Sequence, residues 1–436
     1  METQSIPQDT YKAKDFKRSK NAYTFECMFE YFVSLMMTDA FLAKLLSNLG
    51  FDSGTVGLIS SLISLAFLFQ LAAVPLTKKI LNVKKTAIIF HFSSQIFFLT
   101  PFLLPFCPID GGIKKTICVA AILLGYFGNY VVTALIYKWG NSFVHPFKRG
   151  EFNAIKEAIS LAGGIVISLL AGYVLDRFEA DGNLTGGFIF IAVSMFIYSL
   201  CDLVCLLLIK NDKTEKADAK KVPFKTVIKN TLGNRGFRML IILSALYNSA
   251  LYFTIGFIGV YKTGTLAMSM TLIQIITIGS NILRIFVSRP AGKYSDRTSY
   301  NKGMRMGLLL YMLAFAALCF TAPGSWWLII VYTAFVAFGG AGTSQNNLMI
   351  TYSVVGEEYF VEATSVKNCI GGVCGFVAAY IASIIVNAVE GAGNTLFGIT
   401  VYGQQVLGVI SFAVAAAAFL FSKFVVDKYV PQKGKK

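Results

Sequence analysis

Residues 289–303 read RPAGKYSDRTSYNKG, a short charged segment between two apolar runs that are each long enough to cross a bilayer. The chain around this segment has 436 residues, of which 55% are hydrophobic and only 14% are charged. A soluble protein keeps roughly a quarter of its residues charged. The composition therefore indicates an integral membrane protein.

Apolar runs separated by polar segments predict twelve membrane-spanning segments. We expect each to be a helix, because a helix satisfies its own backbone hydrogen bonds in lipid. Charges in the stretch EFNAIKEAIS, at the start of the fifth span, are expected at the membrane edge. The predicted spans are 22–47, 54–76, 86–106, 116–140, 151–175, 187–209, 237–261, 268–288, 303–322, 326–350, 363–388 and 402–424.

A long polar segment divides these spans six and six, which predicts two parallel six-helix repeats, an architecture found in transporters. The predicted domains are a cytosolic N-terminal tail at 1–21, a six-helix bundle at 22–209, a cytosolic linker at 210–236, a second bundle at 237–424 and a cytosolic tail at 425–436.

The chain has a net charge of +16, and its cationic residues are concentrated on one side of the membrane. Lys and Arg cluster in the tails, the central linker and alternate loops, as the positive-inside rule requires of cytosolic segments. The pattern predicts a multi-pass protein of the plasma membrane with both termini cytosolic. The basic balance indicates contact with anionic lipid and not with nucleic acid.

The segment GKYSDRTSYNKGMR, residues 292–305, resembles the Gly-x-x-x-Asp-Arg-x-x-x-(Arg/Lys) loop of the major facilitator superfamily. The resemblance implies an all-α fold of twelve transmembrane helices in two bundles, and gating roles for Gly292, Asp296 and Arg297. We expect Gly292 to allow a tight turn and Pro290 to help end the preceding helix. The alternative is a charged loop that only sets topology.

Two further features bear on the gate. The first-half counterpart of the loop, VPLTKKILNVKKTA at 74–87, keeps the cations but has no Asp–Arg pair, so the resemblance leaves its gating role in doubt. Arg284 lies near the cytosolic end of the eighth predicted span, where gating or extension of its side chain towards the interface is expected.

In the same superfamily, helices 1, 4, 7 and 10 line the central cavity. A turn of 100° per residue places polar and aromatic side chains on one stripe of each of these helices. Tyr and Asn also hydrogen-bond across packed membrane helices, so each residue has a structural alternative. The substrate-binding candidates are Tyr126, Asn129, Tyr130, Tyr137, Asn248, Tyr252, Tyr332 and Asn346.

Intramembrane carboxylates are the candidates for ion coupling, because a charge in an apolar helix is costly unless it is neutralised or faces water. Glu30 is the main proton-coupling candidate and Asp39 the second; pairing of Glu30 with Lys138 is the alternative. Glu26 is expected nearer the surface with a structural role. Asp202 is expected on a supporting helix, and His91 as a hydrogen-bonded core histidine. With two His in the chain, no metal site is expected.

The pattern as a whole predicts a monomeric secondary transporter that works by alternating access, coupled to a proton or another cation and without a cofactor. The Tyr- and Asn-rich stripes favour uptake of a sugar, glycoside or nucleoside. Efflux of lipophilic compounds is the first alternative, and a transporter-like receptor or sensor is the second. The chain has neither a phosphate-binding Gly-x-x-x-x-Gly-Lys-(Ser/Thr) motif nor a His-Glu-x-x-His motif, so an ATP-driven pump and an enzyme are not expected.

Overall fold

The computed structural model describes residues 13–69, 83–144, 149–210, 232–355, 360–396 and 398–430. Residues 74–82 of the first-half counterpart loop lie outside these ranges. All long elements of secondary structure within these ranges are helices. Two short strands, β1 (Thr395–Leu396) and β2 (Ile399–Thr400), pair antiparallel in the connection before the last helix.

The α-helices within the described ranges follow the predicted spans closely. They are α1 (Ala13–Met36), α2 (Asp39–Asn48), α3 (Ser53–Ser60), α4 (Val83–Leu103), α5 (Gly111–Ser142), α6 (Arg149–Ala180), α7 (Leu184–Leu208), α8 (Arg235–Tyr252), α9 (Ile255–Val260), α10 (Met270–Arg297), α11 (Tyr300–Cys319), α12 (Leu328–Val355), α13 (Phe360–Gly391) and α14 (Gly403–Phe424). A π-helical turn, Tyr261–Thr265, follows α9.

Ten helical segments of the described residues are long and apolar enough to cross a membrane, and Ser53–Phe69 is a shorter apolar helical segment. The prediction of an all-α membrane protein is therefore confirmed. Three predicted spans depart from a simple membrane helix: the first and the seventh are interrupted, and the second continues into residues outside the described ranges.

The prediction of one continuous helix over 22–47 is wrong, because the helix is interrupted between Met36 and Asp39. Thr38 has extended backbone angles, and Asp39 lies in the left-handed region with φ of 46°. The Asp39 carboxylate thus stands at the N-terminus of a new helix, α2, where the helix dipole favours negative charge. The predicted span 237–261 is interrupted in the same way, between Tyr252 at the end of α8 and Ile255 at the start of α9.

The prediction that Pro290 and Gly292 end a helix and form a turn is also wrong. Helix α10 continues through both residues to Arg297. The next helix starts at a different signal: the Ser299 side chain accepts a hydrogen bond of 3.1 Å from the backbone N–H of Lys302 and caps α11. A serine cap sets the boundary here more strongly than proline or glycine, because proline is tolerated inside membrane helices.

The contacts divide the chain into two compact units, residues 1–37 with 72–219 and residues 38–71 with 220–436. In the first unit, α1 packs on α6 and α7, and α4 packs on α5 and α7. In the second unit, α11 packs on α12 and α14, α8 packs on α13, and α2 and α3 pack on α9. Residues 38–71 thus pack with helices of the second half of the sequence; the predicted bundle boundaries stay a prediction.

The end of α14 is fixed to α11 within the second unit. Arg305 forms an ion pair with Asp427, which also accepts a hydrogen bond of 2.6 Å from the Asn301 amide. Val426 and Val430 are buried against the same helices. Residues 425–430 therefore pack on the helical core, and the cation at the end of the loop motif, Arg305, is engaged there.

The first unit depends on a close approach of two helices at Gly140. A Cβ atom at Gly140 of α5 would lie 2.5 Å from carbons of the Tyr23 ring, which is buried on α1. Because a contact this short cannot be accommodated without displacing the ring, the position requires a residue without a side chain.

Gly140→Ala is therefore expected to destabilise the protein by about 1–3 kcal/mol, the usual cost of overpacking. The measurement is the thermal unfolding of the purified protein in detergent. Gly111→Ala is the matched control on the same helix, because a Cβ at Gly111 meets nothing within 4 Å. Equal melting temperatures for the two variants would contradict the close packing.

Candidate functional site

A cavity of about 480 Å³ opens in the first unit between α1, α5 and α6. Its wall combines aromatic, amide and charged side chains, a composition that suits a polar small molecule. The side chains that matter below are Glu30, Ser34, Tyr137, Asn153, Lys156 and Glu157. We call this cavity the first-unit pocket.

Glu30 reaches the first-unit pocket from α1 and is held by an amide of α5. Its Oε1 accepts a hydrogen bond of 3.2 Å from Asn129 Nδ2. The Thr133 hydroxyl lies 2.8 Å from Asn129 Oδ1 and 2.8 Å from the Asn129 backbone carbonyl oxygen, two acceptors for its single proton. The amide nitrogen of Asn129 faces Glu30. The predicted candidates Glu30 and Asn129 are thus brought together.

Lys156 of α6 is a pocket residue that sequence reasoning placed at the membrane edge and left out of the site. Its Nζ lies 3.1 Å from the Tyr23 hydroxyl and 4.3 Å from the centre of the Tyr23 ring. It also lies 5.8 Å from the centre of the Tyr137 ring. The pocket therefore has one ammonium group to set against the carboxylates of Glu30 and Glu157.

A buried polar cluster lies behind the pocket, formed by Glu26 of α1, His91 and Gln95 of α4 and Asp202 of α7. His91 Nε2 lies 3.1 Å from Asp202 Oδ2 and 3.9 Å from Glu26 Oε1. Gln95 Nε2 donates to Asp202 Oδ2 at 2.9 Å and lies 2.9 Å from His91 Nε2. Each of the four side chains is at most 1% exposed. We call these residues the buried cluster.

The sequence contained partial signals for the buried cluster. A lone Asp in the apolar helix α7 marks an intramembrane charge, and His91 and Gln95 stand four residues apart on one helix face. The expected role of His91 as a hydrogen-bonded core residue agrees with its contacts. Glu26, expected nearer the surface, is instead fully buried.

One donor atom from each of Glu26, Glu30 and His91 lies within 4.8 Å of the others. This spacing connects the pocket to the buried cluster through Glu30. His91 Nε2 is already engaged by Asp202 and Gln95, so we do not assign a metal to these residues.

The other candidates of the first unit differ in exposure. Tyr137 is 55% exposed and lines the pocket. Tyr126 is buried, and its ring packs 5.1 Å from that of Phe98 and 6.4 Å from that of Tyr130. Tyr130 is partly buried. Contact of these three residues with a substrate stays a prediction, and Tyr137 has the most accessible ring of the three.

The second-unit candidates use their polar atoms within that unit. Tyr332 donates to the Thr254 hydroxyl at 3.3 Å, and Asn346 donates to the Gly342 carbonyl. Asn248 donates to the Ser244 carbonyl at 2.7 Å, and Tyr252 packs closely against Gly375. Tyr332 and Asn346 are 3% and 4% exposed. Their substrate contacts also stay predictions.

Two buried lysines of the second unit were not predicted as site residues. Lys262, in the π-helical turn, forms a 3.0 Å ion pair with Asp39 at the start of α2. Lys367 of α13 is fully buried, and its Nζ lies 2.6 Å from the Thr351 hydroxyl and 2.9 Å from Asn347 Oδ1. The coupling candidate Asp39 is therefore held by a cation.

The gating candidates Gly292, Asp296, Arg297 and Arg284 all lie on α10 and are exposed. Asp296 and Arg297 form the last turn of α10. The gating roles remain predictions.

Long apolar helices beside a solute-sized polar pocket are the features of a membrane transporter. The sequence matches the model of the Major Facilitator Superfamily over residues 25–379. The chain belongs to this superfamily and has its all-α fold.

Solved structures with the same fold support this assignment. The nucleoside transporter NupG has 16% sequence identity and a TM-score of 0.71, covering 94% of this chain and 99% of its own. The D-xylose–proton symporter has 14% identity and a TM-score of 0.67, covering 96% and 98%. A POT family transporter in complex with 5-aminolevulinic acid has 14% identity and a TM-score of 0.66, covering 93% and 96%. No curated protein sequence matches this chain.

The Asp39–Lys262 pair is expected to show energetic coupling in a double-mutant cycle. Asp39→Asn leaves a buried ammonium without its carboxylate, and Lys262→Met leaves Asp39 unpaired, so the double variant should lose less stability than the sum of the single losses. A coupling of about 0.5–3 kcal/mol is expected for groups in direct contact. Thermal unfolding of the four proteins measures it.

The control cycle combines Asp39→Asn with Lys302→Met, since Lys302 is exposed at the start of α11. Additive losses are expected in the control. Additive losses in the Asp39–Lys262 cycle as well would contradict the ion pair.

Proposed function

We propose that this transporter is a proton-coupled symporter that takes up a neutral hydroxylated solute, a nucleoside or a sugar, by alternating access. The observation that carries the proposal is the convergence of Glu30, Asn153 and Tyr137 at the first-unit pocket, with Asn129 hydrogen-bonded to Glu30. A titratable carboxylate and hydrogen-bonding groups thus share one cavity, as coupling of a proton to a polar solute requires.

The lining of the pocket supports the substrate class. Asn153 and Tyr137 offer hydrogen bonds to hydroxyl groups, and the half-exposed Tyr137 ring offers a stacking surface for a ring face. The volume of about 480 Å³ lies in the range of small-molecule sites. When Glu30 carries the coupled proton, the Lys156 ammonium balances the Glu157 carboxylate, which favours a solute without net charge. The substrates in the names of two structural neighbours, a nucleoside and D-xylose, belong to the same class.

Glu30 is the coupling group in this proposal, because it borders both the pocket and the buried cluster. In its ionised form, the Glu30 carboxylate accepts the hydrogen bond from Asn129. In its protonated form, Glu30 is neutral, so that one proton moves with the solute. The positive-inside pattern supports cytosolic termini and a location in the plasma membrane. Outside-to-inside proton flow would then drive accumulation of the solute.

Glu30→Gln is expected to abolish accumulation driven by a proton gradient, because the amide cannot release or bind the coupled proton. Exchange of solute at equal concentrations should persist, since it needs no net proton movement. The measurement is uptake of radiolabelled uridine and D-xylose into proteoliposomes with an acidic exterior, followed by counterflow without a gradient.

Asp181→Asn is the control, since Asp181 is an exposed carboxylate outside the pocket. It should retain accumulation. The proposal fails if the parent accumulates neither probe under a proton gradient, or if Glu30→Gln accumulates solute as the parent does.

A further inference from the structure

The buried cluster contains more acid than base. Glu26 and Asp202 offer two carboxyl groups, and His91 offers one imidazole. All three side chains are at most 1% exposed. An uncompensated ion in such a dry interior is strongly disfavoured, so the group takes up or releases a proton until the charges balance.

The two carboxyl groups of the cluster lie at different distances from His91. His91 and Asp202 lie 3.1 Å apart and form the close pair, and Asp202 also accepts from Gln95. Glu26 Oε1 lies 3.9 Å from His91 and, among the described residues, has no hydrogen-bond donor, whereas Glu26 Oε2 accepts from the Cys27 thiol. Asp202 Oδ1, Gln95 Oε1 and His91 Nδ1 likewise have no hydrogen-bond partner in the described part of the chain. The cluster thus sets two carboxyl groups against one imidazole, and Glu26 is the carboxyl group that lies farther from the ring.

We propose that Glu26, His91 and Asp202 form a buried proton-binding site, which holds one proton on Glu26 beside a His91–Asp202 ion pair and exchanges it with the pocket through Glu30. The inference rests on the proposed proton coupling and places a second proton site behind Glu30. In the neutral state, the imidazolium balances Asp202 and the protonated Glu26 carries no charge.

Within the described ranges, the ionisable groups around the cluster supply no further cation. Lys156 is the cation near its edge, and it is engaged at the pocket by the Tyr23 hydroxyl. The remaining neighbours are acids or neutral donors. From α1, α5 and α7 the groups that face the cluster are Tyr23, Cys27, Glu30, Tyr130 and Cys205.

Glu30 provides the route for exchange. One ligand atom from each of Glu26, Glu30 and His91 lies within 4.8 Å of the others, so the Glu30 and Glu26 carboxyl groups are close neighbours. In the inward step, which follows release of the stored proton from Glu26, the O–H bond of the Glu30 carboxyl breaks and an O–H bond forms at Glu26 Oε1, which leaves Glu30 as a carboxylate. Glu30 then accepts another proton from the pocket, and the reverse step returns the stored proton.

Charge balance predicts how many carboxyl groups of the cluster are protonated at neutral pH. The parent has one, on Glu26. Glu26→Gln has none, because His91 and Asp202 already compensate each other. Asp202→Asn also has none, because Glu26 becomes the counter-ion of His91. His91→Gln has two, since neither acid retains a cationic partner.

Infrared spectroscopy of the purified full-length protein in liposomes, without solute, measures these numbers from the carbonyl stretch of protonated carboxyl groups. Relative to the parent, the band should lose one carboxyl equivalent in Glu26→Gln and in Asp202→Asn, and gain one in His91→Gln. Asp181→Asn, at an exposed turn, is the control and should leave the band unchanged. An unaltered band in Glu26→Gln, or no gain in His91→Gln, overturns the proposal.

The opposite signs keep the test decisive if one variant does not fold. Hydrogen–deuterium exchange tests the route: Glu30→Gln should keep the parent band but slow its shift in heavy water, and an unchanged rate overturns exchange through Glu30.

The infrared counts do not depend on transport. Failed uptake with the expected counts would remove proton coupling and leave the buried site, and wrong counts with normal coupling would remove the site alone.

Discussion

Compensation of buried charge is the constraint on which this structure depends. Inside a membrane helix bundle, an ion without a partner costs far more than any single packing contact returns. The protein meets this constraint in three ways. Lys262 is paired with Asp39, Lys367 is surrounded by hydroxyl and carbonyl oxygens, and Glu26 shares its site with His91 and Asp202. The Asp39–Lys262 pair and the buried cluster join elements that are distant in sequence, whereas Lys367 joins α13 to the preceding helix α12.

The membrane fold could be predicted from composition because the bilayer imposes one length and one kind of secondary structure on every span. The local interruptions of the helices could not be predicted from composition. The break at Thr38 and Asp39 depends on Lys262, which lies in another part of the chain, and hydropathy averages over such positions. The continuation of α10 through Pro290 was missed for the opposite reason: proline is a strong helix terminator in water but is compatible with a membrane helix.

The candidate site was predicted in part. Helical periodicity placed Glu30 on α1 and Asn129 and Tyr137 on α5, and these side chains do meet at or beside one pocket. Lys156 and the buried cluster were outside the reach of this reasoning, because periodicity gives the face of one helix but not the rotation of its neighbours. The cluster needs the rotations of three helices at once. In the second unit, the same periodic signal is shared by side chains such as Tyr332 that are buried and bonded to neighbouring helices.

The assignment of residues 38–71 to the second unit has a consequence for biogenesis. These residues emerge from the ribosome long before α9 and α13, the helices on which α2 and α3 pack. Until the central segment and the helices after it have been synthesised, the Asp39 carboxylate lacks the ammonium that balances it. The order of synthesis is therefore part of the folding problem for this chain, because the charge at the break is compensated only after the second half has been made.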